Sequence, residues 1–121
     1  MNARVVVVVD DDADAADSLA GALEMFGYIV FTAYGGKEAL ALIRETRPHS
    51  VVSDIDMPGM SGLEEAARVR ACADLRQPCM VAVTGAAIED MRARALRAGF
   101  DACLAKPTSM PALLRLLERD R

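Results

Sequence analysis

The sequence predicts an α/β domain built around a parallel β-sheet, and two patterns support this prediction. Short apolar runs recur five times along the 121 residues, and amphipathic stretches of helical period separate them. Strands and helices that alternate through short links are typical of a parallel sheet sandwiched between helices. Because the sequence has no repeat, no low-complexity segment and no linker, we expect residues 1–121 to form a single domain.

The strand predictions depend on apolar runs. Residues 5–9 are five consecutive valines, and a β-branched, wholly apolar run is typical of a strand that is buried on both faces. The other four strands are predicted at residues 28–33, 50–53, 79–83 and 102–105.

The helix predictions depend on apolar residues at helical spacing. In the first helix these residues should line one buried face, and Gly27 should end the helix. The predicted face of the first helix contains Ala16, Leu19, Ala20, Leu23 and Phe26. The others are predicted around Ala39, Leu40 and Ile43 before Pro48, around Leu63, Ala66, Ala67 and Val69, at residues 91–98 before Gly99, and at residues 112–117.

Composition excludes several classes of function. The net charge of −4 lacks the clustered basic residues of a nucleic-acid-binding surface. No apolar run approaches the ~20 residues of a membrane span, and the N-terminus lacks the basic region of a signal peptide. Three cysteines without CxxC spacing and a single histidine argue against a zinc site or a disulfide framework. We therefore expect a cytoplasmic domain that binds neither nucleic acid nor membrane.

Polar residues follow four of the five predicted strands. Asp10 and Asp11 follow the first strand and Asp54 follows the third, while Thr84 and Lys106 follow the fourth and fifth. The carboxyl ends of parallel strands meet at one edge of the sheet, where such domains place their functional residues. These side chains are therefore expected to converge.

Three adjacent carboxylates need a physical reason, because their mutual repulsion must be relieved. Asp10 and Asp11, together with Asp54, would form an oxygen-rich pocket for a hard cation, and Mg²⁺ suits such a pocket because it takes few carboxylates and keeps several waters. Asp12, one residue further on, is predicted to cap the first helix, where negative charge is favoured.

A carboxylate beside Mg²⁺ can also attack a phosphoryl group and form an aspartyl phosphate. The charge on the transferring oxygens must then be met by fixed donors and cations. Thr84 offers a hydroxyl and Lys106 an ammonium group. Asp54 stands at the centre of this arrangement, so we predict that it is the nucleophile.

The sequence resembles, over its whole length, the receiver domains of two-component response regulators. The resemblance is carried by VVDDD (8–12), DIDMPGMSG (54–62), VTG (83–85) and AKP (105–107), in the order and spacing of that family. It implies a flavodoxin-like (βα)5 fold, in which a doubly wound parallel sheet has five strands in the order 2-1-3-4-5.

The resemblance also implies a role for each site residue. Asp54 would be the phosphoacceptor, Thr84 and Lys106 would contact the phosphoryl group, and the Lys106–Pro107 peptide bond would be cis. Asp10 and Asp11 would be the acidic pair, with Asp11 the more direct ligand of Mg²⁺. Asp54 and the backbone carbonyl of Asp56 would complete the metal site.

The implied function is that of a phosphoacceptor in a phosphorelay. A sensor histidine kinase or a histidine phosphotransfer protein would donate the phosphoryl group in a Mg²⁺-dependent reaction. The domain would not be an enzyme beyond its own phosphorylation and dephosphorylation. The stretches DADAADSLAGALEMFGY, EALALI and RALRAGFDACLAKP resemble receiver domains at the C-termini of hybrid sensor histidine kinases.

The sequence departs from the pattern of the family at two positions. The family usually has Tyr or Phe three residues before the lysine, and this sequence has Cys103 there, so switching through an inward-turning ring is not expected. The side chain of Asp56 is either a modulator of phosphoryl lifetime or metal affinity, or an ordinary solvated loop acid.

Two rival interpretations remain open. Asp54-Ile55-Asp56 fits superficially the Asp-x-Asp motif of haloacid-dehalogenase-like phosphatases, but it lies on the third strand and is followed by Met57-Pro58. About 120 residues also leave no room for that family's cap. The other rival is a pseudo-receiver that keeps the fold without phosphorylation, although every chemical residue is present.

Overall fold

The computed structural model describes residues 4–119, in which strands and helices alternate along the whole chain. In order, the elements are β1 (Val5–Val9), α1 (Ala13–Met25), β2 (Ile29–Ala33), α2 (Gly36–Thr46), β3 (Ser50–Asp54), α3 (Gly62–Arg70), β4 (Cys79–Thr84), α4 (Ile88–Ala98), β5 (Ala102–Ala105) and α5 (Met110–Arg119). All strand pairs are parallel, and the strand order is β2-β1-β3-β4-β5. The predicted flavodoxin-like fold is therefore confirmed.

The sheet separates two hydrophobic cores. Alternate residues of a strand face opposite sides, and β1 shows this directly: Val6 and Val8 pack with α1 and α5, whereas Val7 and Val9 pack with α2, α3 and α4. We call the second of these the α3-side core. Its members include Val7, Val9, Ala39, Ile43, Val51, Ile55, Ala66, Val69, Met80, Ala82, Met91, Ala95 and Cys103.

The ends of α1 agree with the sequence prediction. The side chain of Asp12 accepts a hydrogen bond from the backbone N–H of Ala15 at 3.3 Å, so Asp12 is the N-cap. At the other end Gly27 adopts a φ of +94°, which an L side chain rarely tolerates, and its N–H bonds to the carbonyl of Glu24. These two residues fix the length of α1.

Several details of the prediction are wrong, among them the bounds of α4, which begins at Ile88 rather than at residue 91, and of α5, which spans Met110–Arg119 rather than residues 112–117. Phe26 does not line the buried face of α1, because it lies beyond the last helical residue and is 59% exposed. Ala67 lies on the solvent face of α3. β2 begins at Ile29 rather than at residue 28, and as an edge strand it leaves Ile29 and Phe31 47% and 40% exposed.

Within residues 4–119, none of the helices is both long enough and apolar enough to cross a bilayer.

Candidate functional site

The carboxyl edge of the sheet brings the predicted site residues together. Asp10 directly follows β1, Asp54 ends β3, Thr84 ends β4, and Lys106 directly follows β5. Asp54 is paired with Val83, and Thr84 with Ala105, so parallel pairing sets the relative heights of these ends. The topology, rather than any local loop, therefore positions the site.

Three carboxylates form a compact cluster at this edge. One oxygen atom from each of Asp10, Asp11 and Asp54 lies within 4.8 Å of the other two. Asp10 and Asp54 are each only 6% exposed, whereas Asp11 is exposed to solvent. Oxygen donors of this kind fit a hard divalent cation, and the open side at Asp11 would allow such an ion to keep water ligands. The donor set is thus compatible with Mg²⁺.

Lys106 supplies positive charge to the same pocket. Its Nζ lies 3.1 Å from Oδ2 of Asp10 and 3.4 Å from Oδ2 of Asp54. Its backbone N–H donates to the carbonyl of Thr84 at 2.8 Å, which fixes the end of β5 against β4. The Lys106–Pro107 peptide bond is cis, as the family resemblance implied.

These contacts have opposing effects on the pKa values of the site. Burial raises the pKa of Asp54, the positive charge of Lys106 lowers it, and the negative charge of Asp10 raises it, so that the net pKa lies above the ordinary value. Burial alone would lower the pKa of Lys106, but the hydrogen bond and charge of Asp10 and the charge of Asp54 outweigh burial and raise it. Lys106 is therefore a cation at neutral pH.

Thr84 is fully buried beside this pocket. Its Oγ1 accepts a hydrogen bond from the N–H of Ala86 at 3.0 Å. A hydroxyl that accepts one bond still carries a proton to donate, so Thr84 keeps a donor for a group bound next to Asp54.

Asp56 and Cys103 lie outside the cluster of carboxylates. The side chain of Asp56 is exposed, and the role of its backbone carbonyl stays a prediction. Cys103 is 2% exposed within the α3-side core, burial raises the pKa of its thiol, and its carbonyl accepts a hydrogen bond from Arg92 at 3.4 Å. The thiol is therefore a small, neutral group.

Sequence reasoning missed a second buried carboxyl group next to the site. Glu65 of α3 is fully buried, and its Oε1 lies 2.8 Å from the hydroxyl of Ser53, the residue before Asp54. The same hydroxyl lies 2.9 Å from the backbone carbonyl oxygen of Asp54. A pattern could have revealed it, because residues 62, 65, 66 and 69 share one helical face and position 65 is its only charged member.

Gly62 was also missed as a structural requirement. A Cβ atom at this position would lie 2.3 Å from the carbonyl oxygen of Asp54 and 2.8 Å from Cα of Ile55. Because real side chains do not approach backbone this closely, only glycine lets the first turn of α3 pack directly on the peptide group of Asp54.

Residues 6–118 match the sequence profile of the response regulator receiver domain. An uncharacterized 14.6 kDa protein of Leptolyngbya boryana is 41% identical over 114 residues, which cover 94% of this chain and 87% of that protein. The chain spans only about half the length (46%) of several mycobacterial relatives, which are named as transcriptional regulatory proteins or response regulators.

Solved structures lead to the same family. The chemotaxis protein CheY4 of Vibrio cholerae superposes with a TM-score of 0.89 at 28% identity, covering 99% of this chain and 100% of that one. A response regulator of Burkholderia pseudomallei, solved with a phosphorylated aspartic acid, a calcium ion and citrate, gives 0.84 at 30% identity and covers 94% of this chain and 66% of that one. The profile, the sequence relatives and the structural neighbours together show that this chain belongs to the response regulator receiver domain family.

Proposed function

We propose that this domain accepts a phosphoryl group on Asp54 from a histidine kinase or a histidine phosphotransfer protein, in a reaction that requires Mg²⁺. The observation that carries the proposal is the setting of Asp54. Its Oδ2 lies 3.4 Å from the ammonium of Lys106, within a cluster that also contains the carboxylates of Asp10 and Asp11. Among the described residues, this cluster is the one group of acidic, histidine or cysteine side chains arranged to hold a metal ion.

The transfer step exchanges one bond to phosphorus for another. An ionised oxygen of Asp54 attacks the phosphorus atom of a phosphohistidine, an O–P bond forms, and the N–P bond breaks with its electron pair returning to the histidine nitrogen. Lys106 favours the ionised form of Asp54 before transfer, and its ammonium can then pair with an oxygen of the phosphoryl group. The hydroxyl of Thr84, which accepts a hydrogen bond from the N–H of Ala86, can donate its own hydrogen bond to a second phosphoryl oxygen.

The metal would be held by Asp10, Asp11 and Asp54, with the carbonyl of Asp56 as the remaining protein ligand that the resemblance implies. When bound, Mg²⁺ would neutralise negative charge on the phosphoryl oxygens. Lys106 has a separate task, because its contact with Asp10 keeps that carboxylate oriented toward the pocket.

The Burkholderia neighbour supports this assignment, since its structure carries a phosphorylated aspartic acid together with a divalent cation. The partners proposed for this chain follow from its family: a donor histidine, and an output that lies in another segment or another protein. We further propose a cytoplasmic location and no enzymatic activity on a separate substrate. Attachment to a hybrid histidine kinase is the more specific alternative that several stretches of sequence favour.

Intact mass spectrometry after incubation with acetyl phosphate and Mg²⁺ tests the proposal. We expect one phosphate on the wild type, none on Asp54→Asn, and one on Asp56→Asn, in which the neighbouring exposed acid is neutralised. Equal labelling of the wild type and Asp54→Asn would remove Asp54 as the acceptor. Loss of labelling in Asp56→Asn alone would favour chemistry centred on the second acid of the Asp-x-Asp sequence.

A further inference from the structure

The hydroxyl of Ser53 lies between two acceptors but has only one proton. It is 2.9 Å from the backbone carbonyl oxygen of Asp54 and 2.8 Å from Oε1 of Glu65. A hydroxyl donates one full hydrogen bond and can accept others. Ser53 therefore bonds fully to the Asp54 carbonyl only if Glu65 is the donor in the second contact, which requires Glu65 to be a neutral carboxylic acid.

The surroundings of Glu65 favour this neutral form. Its side chain is fully buried, and its second oxygen, Oε2, has no hydrogen-bond partner among the described residues. An ionised carboxylate in such a place carries a large desolvation cost that no cation offsets. Burial raises the pKa of Glu65 to about 7, and the hydrogen bond with Ser53 opposes that rise. Both forms of Glu65 are therefore accessible near neutral pH.

No charged side chain of the neighbouring elements approaches Glu65 closely enough to change this balance. Asp54, the titratable group of β3, owes its own pKa shift to burial, Lys106 and Asp10, and not to Glu65. On α3, Glu64 and Arg68 pair with each other at 3.1 Å on the outer face, and Arg70 bonds to Asp101. The charged residues of the two packed helices are all exposed: Lys37, Glu38, Arg44 and Glu45 on α2, and Glu89, Asp90, Arg92, Arg94 and Arg97 on α4.

We infer that Glu65 is a positioning residue for Asp54: as a neutral acid it donates to Ser53, which donates to the Asp54 carbonyl, and ionisation of Glu65 turns the Ser53 proton away from that carbonyl. On ionisation the carboxyl proton leaves to water and Ser53 becomes the donor to the new carboxylate. The Asp54 peptide then loses one of the contacts that tie it to α3, while the close packing of Gly62 remains. The consequence for phosphoryl transfer rests on the function proposed above.

The first test measures the coupling in the unphosphorylated protein. Carbon-13 NMR follows the side-chain carboxyl of Glu65 and the backbone carbonyl of Asp54 as the pH is raised through 7. We expect both signals to move with the same midpoint in the wild type and in Glu64→Gln, a matched control that neutralises the exposed neighbour. In Glu65→Gln, whose amide can still donate to Ser53, and in Ser53→Ala, that movement of the Asp54 carbonyl should be absent.

An Asp54 carbonyl that does not respond near pH 7 in the wild type, or that responds equally in Ser53→Ala, overturns the inference. This measurement involves no phosphoryl transfer, so it decides the role of Glu65 even if Asp54 proves not to be the acceptor.

The second test measures the rate of labelling by acetyl phosphate as the ratio of Glu65→Gln to wild type. Below pH 7 we expect a ratio near one, since both proteins present a donor to Ser53. Above pH 7 the wild type should be labelled about two- to ten-fold more slowly than Glu65→Gln, the range expected for the loss of one neutral hydrogen bond. A ratio that is constant with pH, or one that Glu64→Gln reproduces, contradicts a positioning role.

Discussion

Asp54 and Glu65 are both buried carboxyl groups, and both contact Ser53, yet their environments differ in one decisive respect. Asp54 lies at the edge of the sheet with the ammonium of Lys106 at 3.4 Å. Glu65 lies on the buried face of α3, with Oε1 hydrogen-bonded to the Ser53 hydroxyl at 2.8 Å and Oε2 without a partner among residues 4–119. A nearby cation lets a buried acid act as an anion, whereas an acid that lacks one stays neutral until the pH approaches 7.

Removing the cation from the Asp54 side should have the largest effect. In Lys106→Met we expect phosphorylation of Asp54 to slow by about 100- to 1,000-fold, the loss typical when a group that stabilises developing charge is removed. The rate of labelling by acetyl phosphate measures this. Lys37→Met, which removes an exposed lysine of α2, is the control. A rate for Lys106→Met within a few-fold of the control would mean that the contrast between the two acids does not depend on Lys106.

Ionisation of Glu65 should make the stability of the folded protein depend on pH. The pKa of Glu65 is 4.5 in the unfolded chain and about 7 in the folded protein, so between these values the unfolded chain binds fewer protons and stability falls as the pH rises. As the pH rises across this window, the free energy of unfolding of the wild type should fall, relative to that of Glu65→Gln, by on the order of 3 kcal/mol. Urea denaturation below pH 4.5 and above pH 7 measures this fall.

Glu64→Gln provides the matched control for that measurement, because it makes the same change at an exposed residue of the same helix. Parallel stability curves for Glu65→Gln and the wild type would show that Glu65 ionises equally in the folded and unfolded states.

The close packing of α3 on the Asp54 peptide can be disrupted at Gly62 without changing either acid. In Gly62→Ala the new methyl group would meet the Asp54 carbonyl, and we expect a loss of about 1–3 kcal/mol in the free energy of unfolding. Gly21→Ala is the control, since a Cβ atom there meets nothing within 4 Å and alanine inside α1 should stabilise by about 0.5–1 kcal/mol. Equal effects at the two positions, measured by thermal unfolding, would contradict the close packing at Gly62.

Metal affinity should distinguish the residues around Asp54. Asp10→Ala should weaken Mg²⁺ binding about ten-fold, and Asp11→Ala should weaken it more, because we expect Asp11 to be the more direct ligand of the two. Titration calorimetry measures both, with Asp14→Ala, an acid in the first turn of α1, as the control. If Asp11→Ala binds Mg²⁺ as well as the control does, the assignment of this residue is wrong.

The smallest effect is expected on the face formed by α4 and β5. Cys103 is buried in the α3-side core and is much smaller than an aromatic ring, and a ligand shifts a conformational equilibrium only by its differential affinity for the two states. Binding of beryllofluoride with Mg²⁺ should therefore change the amide chemical shifts of residues 54–62 and 84–86 strongly and those of residues 88–105 weakly. Large, cooperative shifts across both regions would show that another residue carries the switch.

The fold and most of the site were predictable because the chemistry-bearing residues end or directly follow short apolar runs in the sequence. Asp54 and Thr84 each end a strand, so locating the strand also locates the residue. Asp12 was predictable as a cap for the same local reason. The roles of these residues in phosphoryl transfer remain predictions.

The errors and omissions concern where an element ends and how it packs, which residue spacing alone does not determine. Phe26 has the right spacing for the buried face of α1, but the helix ends one residue before it. Glu65 lies twelve residues after Ser53, and the two side chains meet only because α3 packs over the end of β3. Helical spacing marks Glu65 as a charged residue on a buried face, but it does not reveal which partner it contacts.

The single proton of Ser53 has one further consequence under the proposed role of Glu65, because coupling between two sites is reciprocal. If a neutral Glu65 strengthens the hydrogen bond on the Asp54 carbonyl, then any event that fixes this carbonyl must raise the proton affinity of Glu65 by the same factor. Phosphorylation that tightens the Asp54 peptide would take up protons from the solution near pH 7, and phosphorylation that loosens it would release them. One serine hydroxyl would thus make the phosphorylation equilibrium of this domain depend on the acidity of its surroundings.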